Sequence, residues 1–156
     1  MEYEKIVDIL AQNEKTVSVM ESCTGGGISN SITNIPGSSA VFNFAAVTYS
    51  NEYKIKMGVS AEVIDKYSVY SMQVADEMSV KISEFCGADY GIGVTGKLMC
   101  EDKNNLSGDD DLVYISIFDR QNHSFYNKKL RVTSKSRKEN KKLVIEQVFQ
   151  LLLNVI

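Results

Sequence analysis

The residues Glu21-Ser22-Cys23-Thr24-Gly25-Gly26-Gly27 hold the chain's most chemically suggestive pattern. Two nucleophile types, a serine and a cysteine, stand side by side ahead of three glycines, and Ile28, Ile32 and Ile35 then recur at helical spacing. Glycine inside a helix costs up to ~1 kcal/mol against alanine, so close backbone approach, not helix propensity, accounts for the run. A helix start with free N–H groups and no side chains in the way can hold a phosphate, a carboxylate or a developing oxyanion. The GK[ST] of a Walker loop does not follow, and the GxGxxG of a dinucleotide fold is absent. Ser22 reads equally as a helix cap or a nucleophile. Cys23 reads as a small buried residue whose side chain alternates inward.

A nucleophile needs a base, and the choice is narrow. His123 is the only histidine, and it sits in Arg120-Gln121-Asn122-His123-Ser124, which reads as a surface turn between two strands. Ser-His-Asp and Cys-His chemistry are therefore disfavoured, and a hydrolase here would draw on another base. The three cysteines, Cys23, Cys86 and Cys100, form an odd set without CxxC spacing, so neither a disulfide framework nor a zinc site is expected. No metal and no cofactor is called for.

The elements that must position these residues alternate between helix and strand. Tyr3, Ile6, Val7 and Leu10 predict a first helix, and Val17 to Met20 a buried strand leading straight into the glycine run. Pro36 and Gly37 end the next helix. Phe44 to Tyr49 predicts a second strand, with a short helical turn over SNEYKIKMG. Ser60 is placed to cap a small helix through Tyr67, and Ser71 a longer one that buries Ala75, Met78, Ile82 and Phe85 before Gly87 closes it. Tyr90 to Thr95 is a glycine-broken strand, Gly96 to Asp111 an aperiodic polar loop, and Leu112 to Phe118 with Ser124 to Val132 a hairpin. A capping box, Ser136 to Glu139, opens a last helix that buries Val144, Val148, Leu151, Leu152 and Val155. This order predicts a mixed, partly parallel sheet with helices on both faces, in one domain of 156 residues.

Composition bounds the partners. Hydrophobic residues make up 44% and the net charge is −3, so nothing draws the protein as a whole to nucleic acid or to an anionic membrane. No stretch approaches the ~18 apolar residues of a membrane span, and the N-terminus lacks a signal-like apolar run, so a cytoplasmic protein is expected. Charge is nonetheless uneven. Eight of the 17 lysines and arginines lie between Lys128 and Lys142, while Glu101, Asp102, Asp109, Asp110 and Asp111 crowd the loop before the hairpin. Both regions are readable as solvated surface. Arg137, however, would stand in the first turn of the last helix, where a cation opposes the dipole by roughly 0.3–1 kcal/mol. An anionic ligand would remove that conflict.

The blocks ESCTGG, NIPGSSAVF, VTYSNEYK, GVSAEVI and GADYGIGVTG, running in order from Glu21 to Gly96, resemble the signature of the CinA C-terminal family, the nicotinamide mononucleotide amidohydrolases. The resemblance implies a three-layer α/β/α fold with a mixed, mostly parallel five-stranded sheet. It also implies a metal-independent conversion of nicotinamide mononucleotide to nicotinate mononucleotide and ammonia. Carried over by position, Ser22 is the nucleophile, with Lys54 and Tyr49 as proton-transfer partners. The absence of a usable histidine suits this assignment, because the serine would then need a desolvated lysine whose pKa has fallen from ~10.4. Lys56 is the local competitor but would point elsewhere on the helical turn. Thr24, Gly25 and Gly26 through their backbone, with Thr95 and Arg137, are the candidates for holding the substrate phosphate or a carboxylate intermediate.

After Gly96 the chain departs from the family. Where relatives continue VTGIAGPGGG, it reads VTGKLMCEDKNNLSGDDDLV, and SKSR replaces the family's GDR, keeping the arginine as Arg137. The glycine-rich pocket loop is thereby replaced by a charged one. Two other readings stay open: a family fold that binds a nucleotide or another anion without this hydrolysis, and a hydrolase of a different small amide. The length matches the stand-alone form of the family, without the molybdopterin-binding-like domain of its larger proteins. The expected partner is a pyridine nucleotide, with no nucleic acid and no membrane, and self-association into a homo-oligomer is left open.

Overall fold

The computed structural model describes residues 2–100 and 102–156; Met1 and the loop residue Glu101 lie outside the described residues. The chain runs α1 (Glu2–Gln12), β1 (Val17–Glu21), α2 (Gly27–Thr33), β2 (Phe42–Val47), α3 (Asn51–Lys56), α4 (Ala61–Tyr67), α5 (Met72–Cys86), β3 (Tyr90–Gly96), β4 (Leu112–Asp119), β5 (Ser124–Arg131) and α6 (Arg137–Val155). A single 3-10 turn, Ser38–Ala40, precedes β2.

The sheet order is β2-β1-β3-β4-β5. β1 pairs in parallel with both β2 and β3, and β4 is antiparallel to β3 and to β5. Four of the five strands therefore point the same way, as expected of the mixed, mostly parallel sheet. Central β1 is buried along its whole length, which explains its apolar run.

Two apolar clusters cover the faces. On one, Val17, Val19, Ile92, Val94 and Ile115 of the sheet pack against Ile6 and Leu10 of α1, Ile28 and Ile32 of α2, and Val144 and Val148 of α6. On the other, Met20 meets Val59, Ile64, Val74, Met78 and Ile82 around α4 and α5. Gly91 and Gly93 of β3 belong to the second face. A Cβ on Gly91 would lie 1.9 Å from the Ser79 carbonyl oxygen, and one on Gly93 would lie 2.3 Å from that of Ala75, so α5 rides directly on the strand backbone.

The serine caps fall where the sequence places them. Ser60, Ser71 and Ser136 each accept a hydrogen bond from the amide three residues on, at Val63, Val74 and Glu139. The capping box closes through an extra residue: Ser134 Oγ donates to Glu139 Oε2 and accepts from the Ser136 amide. Three expectations need correction. β2 ends at Val47, so Tyr49 lies beyond the strand. Phe85 is 63% exposed on the flank of α5, its ring 5.0 Å from that of Phe44 on the edge strand. Leu151 and Val155 are only partly buried.

Candidate active site

The carboxyl end of β1 delivers the glycine run, and the group that organises it is Glu21. Its side chain is completely buried. Oε1 accepts from Thr24 Oγ1 (2.7 Å) and from the amides of Gly26 (2.9 Å) and Ile28 (3.1 Å), while Oε2 accepts from the Ser29 amide (3.0 Å) and hydroxyl (2.6 Å). A buried carboxylate is tolerated only when satisfied in this way. The anion at the start of α2 is thus the chain's own. Gly25 and Gly26 adopt φ of +61° and +95°, bending the backbone around that carboxylate, and a Cβ on Gly27 would collide with Ile145 of α6 at 2.6 Å.

This corrects the expected phosphate cradle. The Gly26 amide serves Glu21, the Gly25 amide donates to the Ser22 carbonyl at 2.9 Å, and the Thr24 hydroxyl is also committed to Glu21. The Thr24 amide has no acceptor among the described residues, and the Cys23 amide none beyond its own thiol. They remain available to an oxygen held beside Ser22. The one sequence signal that could have revealed Glu21 was its charge at the end of an otherwise buried strand.

Ser22 is itself nearly buried, at 8% exposure, and faces Lys54, at 3%. Lys54 Nζ lies 3.2 Å from Ser22 Oγ and donates to the Thr48 carbonyl at 2.8 Å. Ser50 caps α3, and one turn later Lys54 points inward whereas Lys56 points out to Glu52 at 2.9 Å. Burial lowers the Lys54 pKa from 10.5 to about 8, against an opposing pull from Cys23 and Asp102. The neighbouring thiol moves the other way: burial pushes Cys23 up to about 12, even with Lys54 nearby. Ser22, not Cys23, is therefore the side chain with a base in reach. Tyr49 does not join the pair. It is 63% exposed, and its hydroxyl accepts from Arg137 Nη2 at 3.3 Å, because the chain turns outward once β2 ends.

A cavity of about 580 Å³ opens over Ser22, bounded by Tyr49, Asn51, Tyr70, Lys97, Asp102, Asn105 and Arg137. Much of this wall comes from the charged loop after Gly96. Lys97 turns inward and donates to the carbonyls of Leu106 (3.5 Å) and Gly108 (3.1 Å) and to Asp110 Oδ1 (3.2 Å), with its Nζ 5.1 Å from the centre of the Tyr70 ring. Leu98 is buried in the larger core cluster. Tyr70 donates its hydroxyl to Asp102, and Asn105 donates to Asp102 Oδ2 (3.0 Å) and accepts from Asn51 (2.8 Å). None of Tyr70, Lys97, Asp102 or Asn105 was singled out as a site residue from sequence.

Arg137, at the start of α6, reaches this cavity and donates to the Lys97 carbonyl at 3.1 Å. Thr95 does not: it is fully buried, and its hydroxyl donates to the Val69 carbonyl at 3.0 Å, tying β3 to the segment before α5. His123 is exposed in the β4–β5 turn with φ +50°. Among the described residues no three His, Cys, Asp or Glu side chains converge as metal ligands, and no helix is long and apolar enough to cross a membrane.

The sequence signature described as the CinA C-terminal domain matches residues 2–156. A CinA-like protein of Desulfovibrio desulfuricans is 44% identical over 92 residues, which cover 58% of this chain and 22% of that protein. One from Prochlorococcus marinus is 38% identical over 135 residues, covering 86% of this chain and 32% of the relative. The chain thus spans less than a third of the length of these curated relatives. Among solved structures, the competence/damage inducible protein CihA from Agrobacterium tumefaciens superposes with a TM-score of 0.84 at 27% identity, covering 99% of this chain and 95% of that one. A CinA superfamily protein from Klebsiella pneumoniae gives 0.87 at 23% identity, covering 97% and 93%, a likeness of fold.

Proposed function

The chain belongs to the CinA C-terminal domain family, and from that premise we propose that it is an amidohydrolase that deamidates nicotinamide mononucleotide to nicotinate mononucleotide and ammonia. The observation that carries this reading is the buried contact between Ser22 Oγ and Lys54 Nζ at 3.2 Å, with the lysine pKa lowered to about 8. At pH 7 roughly a tenth of such a lysine is uncharged, against well under a thousandth for an ordinary one. The uncharged amine takes the Ser22 proton as Oγ attacks the carboxamide carbon. The developing oxyanion is met by the amides of Cys23 and Thr24. Lys54 then returns the proton to the leaving nitrogen, ammonia departs, and water cleaves the acyl-serine by the reverse proton path.

Arg137 and its partner Tyr49 hold the substrate phosphate or a carboxylate in this scheme. Tyr49 acts by fixing the guanidinium, not as a proton carrier, since its hydroxyl bonds Arg137 and neither Ser22 nor Lys54. Ammonia release from purified protein and a panel of pyridine carboxamides, with chelator present, is the direct assay. Ser22→Ala should abolish release while the protein stays folded and ligand-competent, and Cys23→Ala should retain it. Turnover surviving Ser22→Ala excludes the serine mechanism, and nucleotide binding without any ammonia would leave a binding protein on the same fold.

A further inference from the structure

Two opposite charges line the same cavity and do not pair. Arg137 bonds only neutral partners, the Lys97 carbonyl and the Tyr49 hydroxyl. Asp102 is likewise held by neutral donors, the Tyr70 hydroxyl, the Asn105 amide group and the Asn104 backbone amide. Neither side chain has an ion-pair partner among the described residues, whereas the third charge of the wall, Lys97, is balanced by Asp110. Holding a cation and an anion apart across one small cavity forgoes their mutual attraction, and rigid neutral tethers keep both forks aimed at whatever enters. The charges also act on the reacting groups: Asp102 on Lys54, and Arg137 on Cys23 beside Ser22.

Resting on the hydrolytic reading above, we infer that Asp102 is a specificity residue that selects a positively charged ring on the substrate, so that the pocket takes zwitterions, carboxamides on a quaternised pyridine that also carry an anionic group. Arg137 meets the anion and Asp102 the ring cation. The loop that departs from the family pattern therefore supplies its own recognition element. Asp102 is positioned for this by Tyr70, which donates to it from the α4–α5 connection, and by Asn105, which bridges to Asn51 at the start of α3. Tyr70 from outside the loop and Asn104 and Asn105 from within it hold one carboxylate, which touches neither Ser22 nor Lys54. Asp102 lines the cavity, whereas Asp110, which pairs with Lys97, does not.

The experiment compares nicotinamide mononucleotide with its reduced dihydropyridine form, which keeps the phosphate and the carboxamide but has a neutral ring. The ratio of kcat/KM for the two is measured in wild type, in Asp102→Asn and in Asp110→Asn, so that the intrinsic reactivity of each amide cancels between proteins. The inference expects the preference for the cationic ring to fall by about tenfold in Asp102→Asn, the size of a lost charge-assisted contact, and to persist in Asp110→Asn. If both variants lose it equally, loop disturbance explains the effect and the inference is overturned. An unchanged ratio in Asp102→Asn, with ammonia still released, overturns the inference and leaves the hydrolytic reading standing. If no ammonia is released from either nucleotide, calorimetric titration of the same proteins decides. A binding preference for the cationic form that vanishes in Asp102→Asn supports the inference without hydrolysis, and no preference or no binding refutes it.

Discussion

Replacing Lys54 by methionine should remove activity and, at neutral pH, cost little or no stability. The side chain is 3% exposed, and a pKa lowered from 10.5 to about 8 means that the folded protein holds a charge it disfavours. That lowering corresponds to about 3 kcal/mol of strain on the protonated form. Methionine of similar length relieves it but abandons the Thr48 carbonyl, at a cost of about 1–3 kcal/mol. The net change at pH 7 should lie between roughly zero and a gain of 2 kcal/mol, or up to several degrees in Tm for a chain of this size. The sign with pH is fixed by linkage. Below pH 8 lysine is protonated in both folded and unfolded states, and the full penalty applies. Between pH 8 and 10.5 the unfolded chain binds more protons, so wild-type stability contributed by this group rises with pH, and above 10.5 the penalty is gone. The stability of Lys54→Met relative to wild type should therefore fall by about 2–3 kcal/mol between pH 7 and pH 10. Urea unfolding of both proteins at the two pH values measures it, and kcat of wild type should rise with pH through about 8. A stability difference independent of pH, or a rate flat across that range, would refute a low-pKa lysine as the base.

Arg137→Ala should weaken nicotinamide mononucleotide binding by about 1.5–3 kcal/mol relative to its dephosphorylated riboside, read by calorimetry; a solvated arginine would change the pair equally. Glu21→Ala leaves three backbone amides and two hydroxyls of the α2 turn without their acceptor, so a loss of about 3 kcal/mol or more is expected in thermal or urea unfolding. A loss below about 1 kcal/mol would mean that the turn is held by something else.

What was legible in the sequence is what local chemistry fixes. Serine caps at 60, 71 and 136 depend on the next three residues only, and so they could be placed to the residue. Lys54 alone reads as a surface lysine, and only the family resemblance of the block VTYSNEYK marks it as a site residue; the Ser50 cap that turns it inward is seen in the structure. Tyr49 was misread because the end of β2 is decided by pairing with β1, whose last partner is Val47 opposite Glu21. Thr95 looked available because its polar side chain borders the glycine-broken strand, but α5 packs close enough there for the preceding segment to capture its hydroxyl. The glycine run was correctly felt as a demand for close approach, but the approaching group was a carboxylate of the same chain. Asp102, Tyr70 and Asn105 were invisible as a set, since the contact of Asp102 with Tyr70 spans 32 residues and that of Asn105 with Asn51 spans 54.

The loop that walls the cavity leaves β3 after Gly96 and re-enters the sheet at Leu112, and Gly96 and Val113 are register partners in adjacent strands. The excursion therefore begins and ends at one spot, closing on itself like a long hairpin tip. Its length and chemistry can change without shifting a single pairing of the sheet, and the entropy of closing it grows only slowly, by about 0.6 kcal/mol per doubling of length. Ser22 and Lys54 lie outside it, at the end of β1 and on α3, and the loop meets α3 through the bond between Asn51 and Asn105. The architecture thus places the Ser22–Lys54 pair and the loop that walls the cavity on different parts of the chain. On the proposed hydrolytic reading, exchanging residues 97–111 changes what the cavity accepts before it changes the Ser22–Lys54 pair, which makes this loop the place for a designer to graft.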